Sequence, residues 1–241
     1  MPASSFISAL TIDAPAWPEW VPPESPLVLV QCRFSVEAYH DDEFVRHNIP
    51  QPPRLQRAVA KRRSEFLAGR ICARQALAQL GIDGQAGSEA ERRDPIWPKE
   101  CTGTITHSHG VAAALVGHAR HWQGLGIDIE HWINTESARH LSSAILQPHE
   151  QQLLDEDDIR FAQQLTLLFS AKESLFKALN PLTGTSFYFH DASLVHLNEG
   201  AQTLTLRLDC TLNEQWPAGT TLICHYAYSP AYITTWLTIP A

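Results

Sequence analysis

Between Ile159 and Leu179 the apolar residues recur at helical spacing, and a lysine falls in the middle of them. With Leu165 set at zero and about 100° per residue, Leu168, Phe169, Phe176 and Leu179 lie within about 60° of it, and Lys172 lies at about −20°. A stripe of that width predicts a long helix, from about Ile159 to Leu179 and closed by Asn180-Pro181, that must bury one face against another layer. An ammonium in that stripe is costly unless paired, so Lys172 either extends out along its stem or meets an anion. Glu173 sits at the edge of the stripe and Lys177 one turn further on. An ordinary i,i+4 ion pair accounts for Glu173 and Lys177, but not for Lys172.

Upstream, Leu125-Gly-Ile127-Asp128-Ile129-Glu130 alternates with period two, which predicts a strand with isoleucines on one face and carboxylates on the other. Asp128 and Glu130 then stand about 7 Å apart, a like-charge pair that calls for a cation or a proton if half buried. Hard oxygen ligands suit Mg²⁺. Two solvated carboxylates on an exposed strand face are the alternative.

Charge is uneven along the chain. The 241 residues carry a net charge of −8, which argues against a nucleic-acid binder, yet Arg54 to Arg74 holds seven basic residues and one acid. A helix predicted from about Leu55 to Leu80, stopped by Gly81, places Arg63, Arg70 and Arg74 within about 40° of one another. That face suits a small anionic ligand. Before it, Pro15, Pro18, Pro22, Pro23 and Pro26 imply loops around one strand, Leu27 to Phe34. After it, the stretch from Gly81 to Lys99 reads as a surface excursion. Residues 103–116 then read as strand, turn, strand, with His107 at the turn.

A polar seam at 117–124 divides the chain into halves of similar length, 1–120 and 121–241, and the tail from Ser186 on reads as an antiparallel sheet. No apolar run approaches a membrane span. Five widely spaced cysteines without a CxxC, and an N-terminus without a basic flank, lead us to expect a reducing cytoplasm. His107-Ser-His109 is open to reading as a transition-metal pair, whereas zincin, nucleophile-elbow and Walker A patterns are absent from the sequence.

Four segments, Arg62-Arg-Ser-Glu-Phe-Leu-Ala-Gly-Arg70, Ile105-Thr-His107-Ser108, Gly126-Ile-Asp128-Ile-Glu130 and Phe169-Ser-Ala-Lys172-Glu173-Ser-Leu-Phe-Lys177-Ala-Leu, resemble in order and spacing the motifs of Sfp-type 4'-phosphopantetheinyl transferases, the enterobactin-synthase branch above all. Phe169 stands where many members carry Trp. The resemblance implies a pseudo-dimeric α/β (α+β) fold, two halves each with a small antiparallel sheet on a long helix and the ligand in the cleft between them. It also implies a monomer that transfers the 4'-phosphopantetheine arm of coenzyme A to a serine of apo carrier proteins of siderophore, polyketide or fatty-acid synthases, releasing adenosine 3',5'-bisphosphate. Mg²⁺ would be ligated by Asp128, Glu130 and Glu173, with Glu173, Lys177 and Asp128 catalytic. Arg62, Arg63, Arg70, Lys99, His107, Ser108, Lys172 and Lys177 would bind coenzyme A, with Lys61 behind them. Two rival classes stay open at this stage: a metal-dependent phosphoesterase using His107, His109 and Asp128, and a non-catalytic coenzyme A or carrier-binding module.

Overall fold

The computed structural model describes residues 5–13, 26–87 and 95–241. Pro15, Pro18, Pro22 and Pro23, and the middle of the expected excursion at 88–94, lie outside them. The chain forms two compact units, Met1–Gln123 with Pro240–Ala241, and Gly124–Ile239. It is a mixed α/β protein, and its described residues form two sheets.

In the first unit β1 (Ile7–Asp13), β2 (Leu27–Phe34), β3 (Cys101–Ser108) and β4 (Val111–His118) form an antiparallel sheet in the order β1-β2-β4-β3. β4 is central, and its run Val111–Val116 is buried throughout, as a strand covered on both faces must be. The helix α2 (Ala60–Gln79), which follows the short helix α1 (Glu43–Arg46), packs Leu67, Ala68, Ile71, Cys72, Ala76 and Leu77 into this core. It starts later than the expected Leu55, because Pro52 and Pro53 instead set a 3₁₀ turn at Pro53–Leu55. Two expectations are corrected here. β1 joins β2 as a second N-terminal strand. His107 lies within β3, and the turn falls at His109-Gly110, both with positive φ (39° and 81°), as a tight hairpin requires.

In the second unit the sheet order is β5-β9-β8-β7-β6, with β5 at Trp122–His131, β6 at Ala192–Asn198, β7 at Thr203–Leu208, β8 at Thr221–Tyr228 and β9 at Tyr232–Pro240. The pairs from β6 to β9 are antiparallel. The helices α3 (Thr135–Ile145), α4 (Pro148–Gln151) and α5 (Asp158–Thr183) complete the unit. The α5 stripe, Leu165, Leu168, Leu175 and Leu179, is buried in one core with Leu204, Leu206, Tyr226, Ile233 and Leu237. Asp157 caps its start by accepting from the Ile159 and Arg160 amides at 3.1 and 3.0 Å. Its end differs from expectation. Pro181 sits inside the last turn, Leu182 packs on the core, and Gly184, at φ 65°, closes the helix by donating to the Asn180 carbonyl at 2.9 Å.

Candidate active site

β5 lies directly on α5 because glycine alternates along it. A Cβ on Gly126 would stand 1.8 Å from the Ser174 carbonyl oxygen, and one on Gly124 would stand 2.7 Å from that of Ala178. Two strand residues advance about 6.8 Å and four helix residues about 6 Å, so the contacts step together in opposite directions, Gly124 on Ala178 and Gly126 on Ser174. The next step brings Asp128 to Ser170, and Ser170 Oγ donates to Asp128 Oδ2 at 2.8 Å. Asp128 is buried, and its Oδ1 accepts from Lys177 Nζ at 2.6 Å; Lys177 also donates to the Ile127 carbonyl at 3.1 Å. Ser170 and the two glycines were not singled out as site residues from sequence. The signal was the glycine spacing ahead of Asp128.

Glu130 and Glu173 complete an acidic trio. Burial, helped by the charges of Asp128 and Glu173, pushes the Glu130 carboxyl up to about 7, with Lys177 opposing. Glu173 is likewise raised, first by burial and then by Asp128, again against Lys177. The three carboxylates are therefore close enough to feel one another, and one ammonium stands among them. Among the described residues no three histidine, cysteine or carboxylate side chains are already gathered in a geometry that could hold a metal ion. Lys177 holds Asp128 instead. The donor set nonetheless fits a hard divalent cation: oxygen only, with more negative charge than one lysine balances.

Lys172 requires a correction. Its ammonium does meet an anion, but that anion is Glu150 in the protein interior, at 2.7 Å, and its other bonds go to the carbonyls of Ile145 and Phe189, both at 2.9 Å. With side chains 2% and 0% exposed the pair is closed to solvent, so Lys172 has no proton left for a phosphate. Burial lowers the lysine against the pull of Glu150. Lys172 and Glu173 border a pocket of about 250 Å³ that opens between α5 and the 186–192 segment, with Phe176, Phe187 and Phe189 in its wall. Phe169 packs at a tilt against Phe189, with ring centroids 5.3 Å apart.

In the first unit, the Gly69 of α2 sits against Ile105 of β3, where a Cβ would come 2.6 Å from Ile105 Cγ2. Two residues along the strand, His107 Nε2 accepts from Arg62 Nη1 at 2.9 Å, and Nδ1 stands 3.7 Å from Glu65. A guanidinium can only donate, so that ring nitrogen is engaged and faces a cation, which removes the metal-pair reading of His107 and His109. Arg63 pairs with Asp41 at 3.1 Å and lies over the Tyr39 ring. Arg70 is buried against Phe66, at 4.8 Å, with Arg54 over the same ring at 6.0 Å; burial, then the Arg54 charge, lowers it to about 10. Arg54, which sequence reasoning counts in the basic stretch but not among the candidate ligands, joins this cluster. Arg74 is taken out of the face by donating to the His47 carbonyl. Ser108 is buried beside His109, 3.2 Å away, and Lys61 is exposed on the first turn of α2. Lys99 is exposed on the turn that leads into β3, whereas His107 lies near the far end of that strand. Six strand steps alone separate Cys101 from His107 by about 20 Å, so Lys99 and His107 do not share one phosphate.

Residues 51–117 match the 4'-phosphopantetheinyl transferase N-terminal domain, and residues 124–233 match the 4'-phosphopantetheinyl transferase superfamily domain. The chain is 34% identical over 176 residues to the enterobactin synthase component D of Salmonella typhi, covering 72% of this chain and 73% of that protein. It is 40% identical over 139 residues to the same component of Escherichia coli K12, covering 58% and 65%. With the 4'-phosphopantetheinyl transferase Svp of Streptomyces mobaraensis it shares 38% identity over 159 residues, covering 64% and 62%. The chain belongs to the 4'-phosphopantetheinyl transferase superfamily. Within it, the likeness is to the enterobactin-synthase branch, and the activity of the family is transfer of a phosphopantetheine group to a carrier protein.

Proposed function

We propose that the chain transfers the phosphopantetheine arm from coenzyme A to a serine hydroxyl of apo carrier domains, with Mg²⁺ as the divalent cation. The observation that carries this reading is the buried Asp128 of β5 held by Lys177 and Ser170 of α5, with Glu130 and Glu173 near enough for their charges to be felt. Asp128, Glu130 and Glu173 would hold the Mg²⁺, which supplies charge neutralisation for a diphosphate when bound. Asp128 is fixed for this by Ser170 and Lys177. Glu173, with its proton affinity raised, takes the proton of the attacking serine. The serine oxygen bonds to the phosphorus nearer the pantetheine, and the bond from that phosphorus to the oxygen of the adenosine-side phosphate breaks. Lys177 stabilises the leaving phosphate and gives it a proton, so that adenosine 3',5'-bisphosphate departs. On α2, Arg62, Arg63 and Arg70, with Lys61, His107 and Ser108, are assigned to the 3'-phosphate and nucleotide, where paired guanidiniums suit a dianion.

The likeness to enterobactin synthase components favours a siderophore carrier, and polyketide and fatty-acid carriers use the same serine chemistry. A cytoplasmic setting agrees with five free cysteines, four of them buried. Among the described residues no helix is long and apolar enough to cross a membrane. Incubating the protein with coenzyme A, Mg²⁺ and a panel of apo carriers tests the reading by intact mass. One carrier or more should gain a single phosphopantetheine arm, with stoichiometric adenosine 3',5'-bisphosphate. Nucleotide release without a mass gain would instead identify a phosphoesterase.

A further inference from the structure

Lys172–Glu150 is the most buried of the ion pairs among the described residues. All three ammonium protons and both carboxylate oxygens are hydrogen-bonded. The Glu150 carboxylate accepts from Lys172 Nζ at 2.7 Å, the Gln147 amide at 2.8 Å and the Leu194 amide at 2.8 Å. Lys172 spends its other two protons on Ile145, at the end of α3, and on Phe189. Two stretches remote from each other in sequence thus meet α5 at one point: 145–150, from the end of α3 into α4, and 189–194, from the turn at 189 into β6. Phe189 is also part of the aromatic wall of the pocket that Glu173 lines, and Lys172 precedes Glu173 in the same turn.

Apolar side chains of the same volume would fill this interior as well or better, so burial alone does not account for an ion pair here. What apolar groups cannot supply is direction. An ammonium with three fixed acceptors sets the distance and rotation of the 186–194 segment against one turn of α5.

We infer that Glu150 is a positioning residue for phosphopantetheinyl transfer: acting through Lys172, and without touching substrate, it fixes the pocket wall at 186–194 against the turn of α5 that carries Glu173. This rests on the assignment of Glu173 to the transfer site. A misplacement of about 1 Å at reacting groups is enough to cost up to about a hundredfold in rate.

The test is steady-state transfer to an apo carrier by the full chain, with kcat and KM for coenzyme A measured separately. Absence of wild-type turnover on every carrier overturns the functional reading and this inference with it. With wild-type turnover in hand, the double variant Glu150→Gln/Lys172→Met removes both charges, should keep its melting temperature near that of the wild type, and should lose about tenfold or more in kcat with KM for coenzyme A within about twofold. Glu150→Asp, which keeps both charges but shortens the reach, should fold even where the double variant does not, and should lose kcat in the same sense. Unchanged kcat in either folded variant overturns the inference. So does a rise in KM for coenzyme A confined to Lys172 variants, which would put Lys172 on the ligand.

Discussion

Two lysines of α5 each hold a carboxylate at nearly the same distance, Lys172 on Glu150 at 2.7 Å and Lys177 on Asp128 at 2.6 Å, and their surroundings could hardly differ more. Around Lys172 the charges balance, since Glu150 answers the lysine and the nearby Asp209 is paired with Arg207, and backbone carbonyls and amides complete the bonding of both partners. Around Lys177 they do not. Glu130 and Glu173 stand near it as well, each raised by burial and by its acidic neighbours. Lys177 itself is a quarter exposed. A closed, balanced pair holds a fold in register, whereas an open pair with surplus like charge is a place to put a cation and a phosphate. Contact distance alone does not distinguish them. The charge count within reach does.

The sharpest break in that comparison is on the Lys177 side. Asp128→Ala removes the carboxylate on which Lys177 and Ser170 converge, and should lower transfer by about a hundredfold or more, while circular dichroism and melting stay close to wild type. Wild-type turnover in this variant would take Asp128 out of the reaction and leave the open pair without a function.

On the other side the expected effect is on stability. Lys172→Ala leaves the Glu150 carboxylate fully buried without its counter-charge, and should cost about 3–5 kcal/mol in denaturant unfolding. Lys177→Ala removes a lysine that is a quarter exposed, and Asp128 keeps its bond from Ser170, so the loss should be smaller, about 1–2 kcal/mol. Equal losses in the two variants would mean that the two pairs do the same work, and the distinction would fall.

How much of this was readable from the residues depends on the range of the interaction. Period two fixed Asp128 and Glu130 on one face of β5, and period 3.6 set Lys172 in the apolar stripe, because both are properties of neighbouring residues. That Lys172 needs an anion followed from burial. That the anion is Glu150 did not, since the partner lies 22 residues away, on a four-residue helix placed only by tertiary packing. Ser170 met Asp128 through a glycine-permitted approach of strand to helix, which no periodicity encodes. β1 escaped notice because Leu10 and Ile12 are exposed and its place is set by backbone pairing with β2. Arg74 was grouped with Arg63 and Arg70 by angle, yet a carbonyl from His47 claims it. The resemblance assigns Lys99 and His107 to one ligand, and the extended strand between them sets the two apart.

The smallest effect bears on the surplus charge itself. The Glu130 carboxyl stands at about 7 in the folded chain against an ordinary value of 4.5. Between those values the folded state keeps a proton that the unfolded state has released, so stability falls as pH rises through that window. Glu130→Gln should remove that slope and raise the melting temperature above pH 7 by about 2–4 °C, the shift that about 1 kcal/mol gives in a chain of this size. The same substitution should reduce transfer, because it takes one oxygen ligand from the trio. A variant that melts lower than wild type at pH 8 would show that Glu130 is held by partners rather than strained by its neighbours, and the open site would then be as balanced as the closed one.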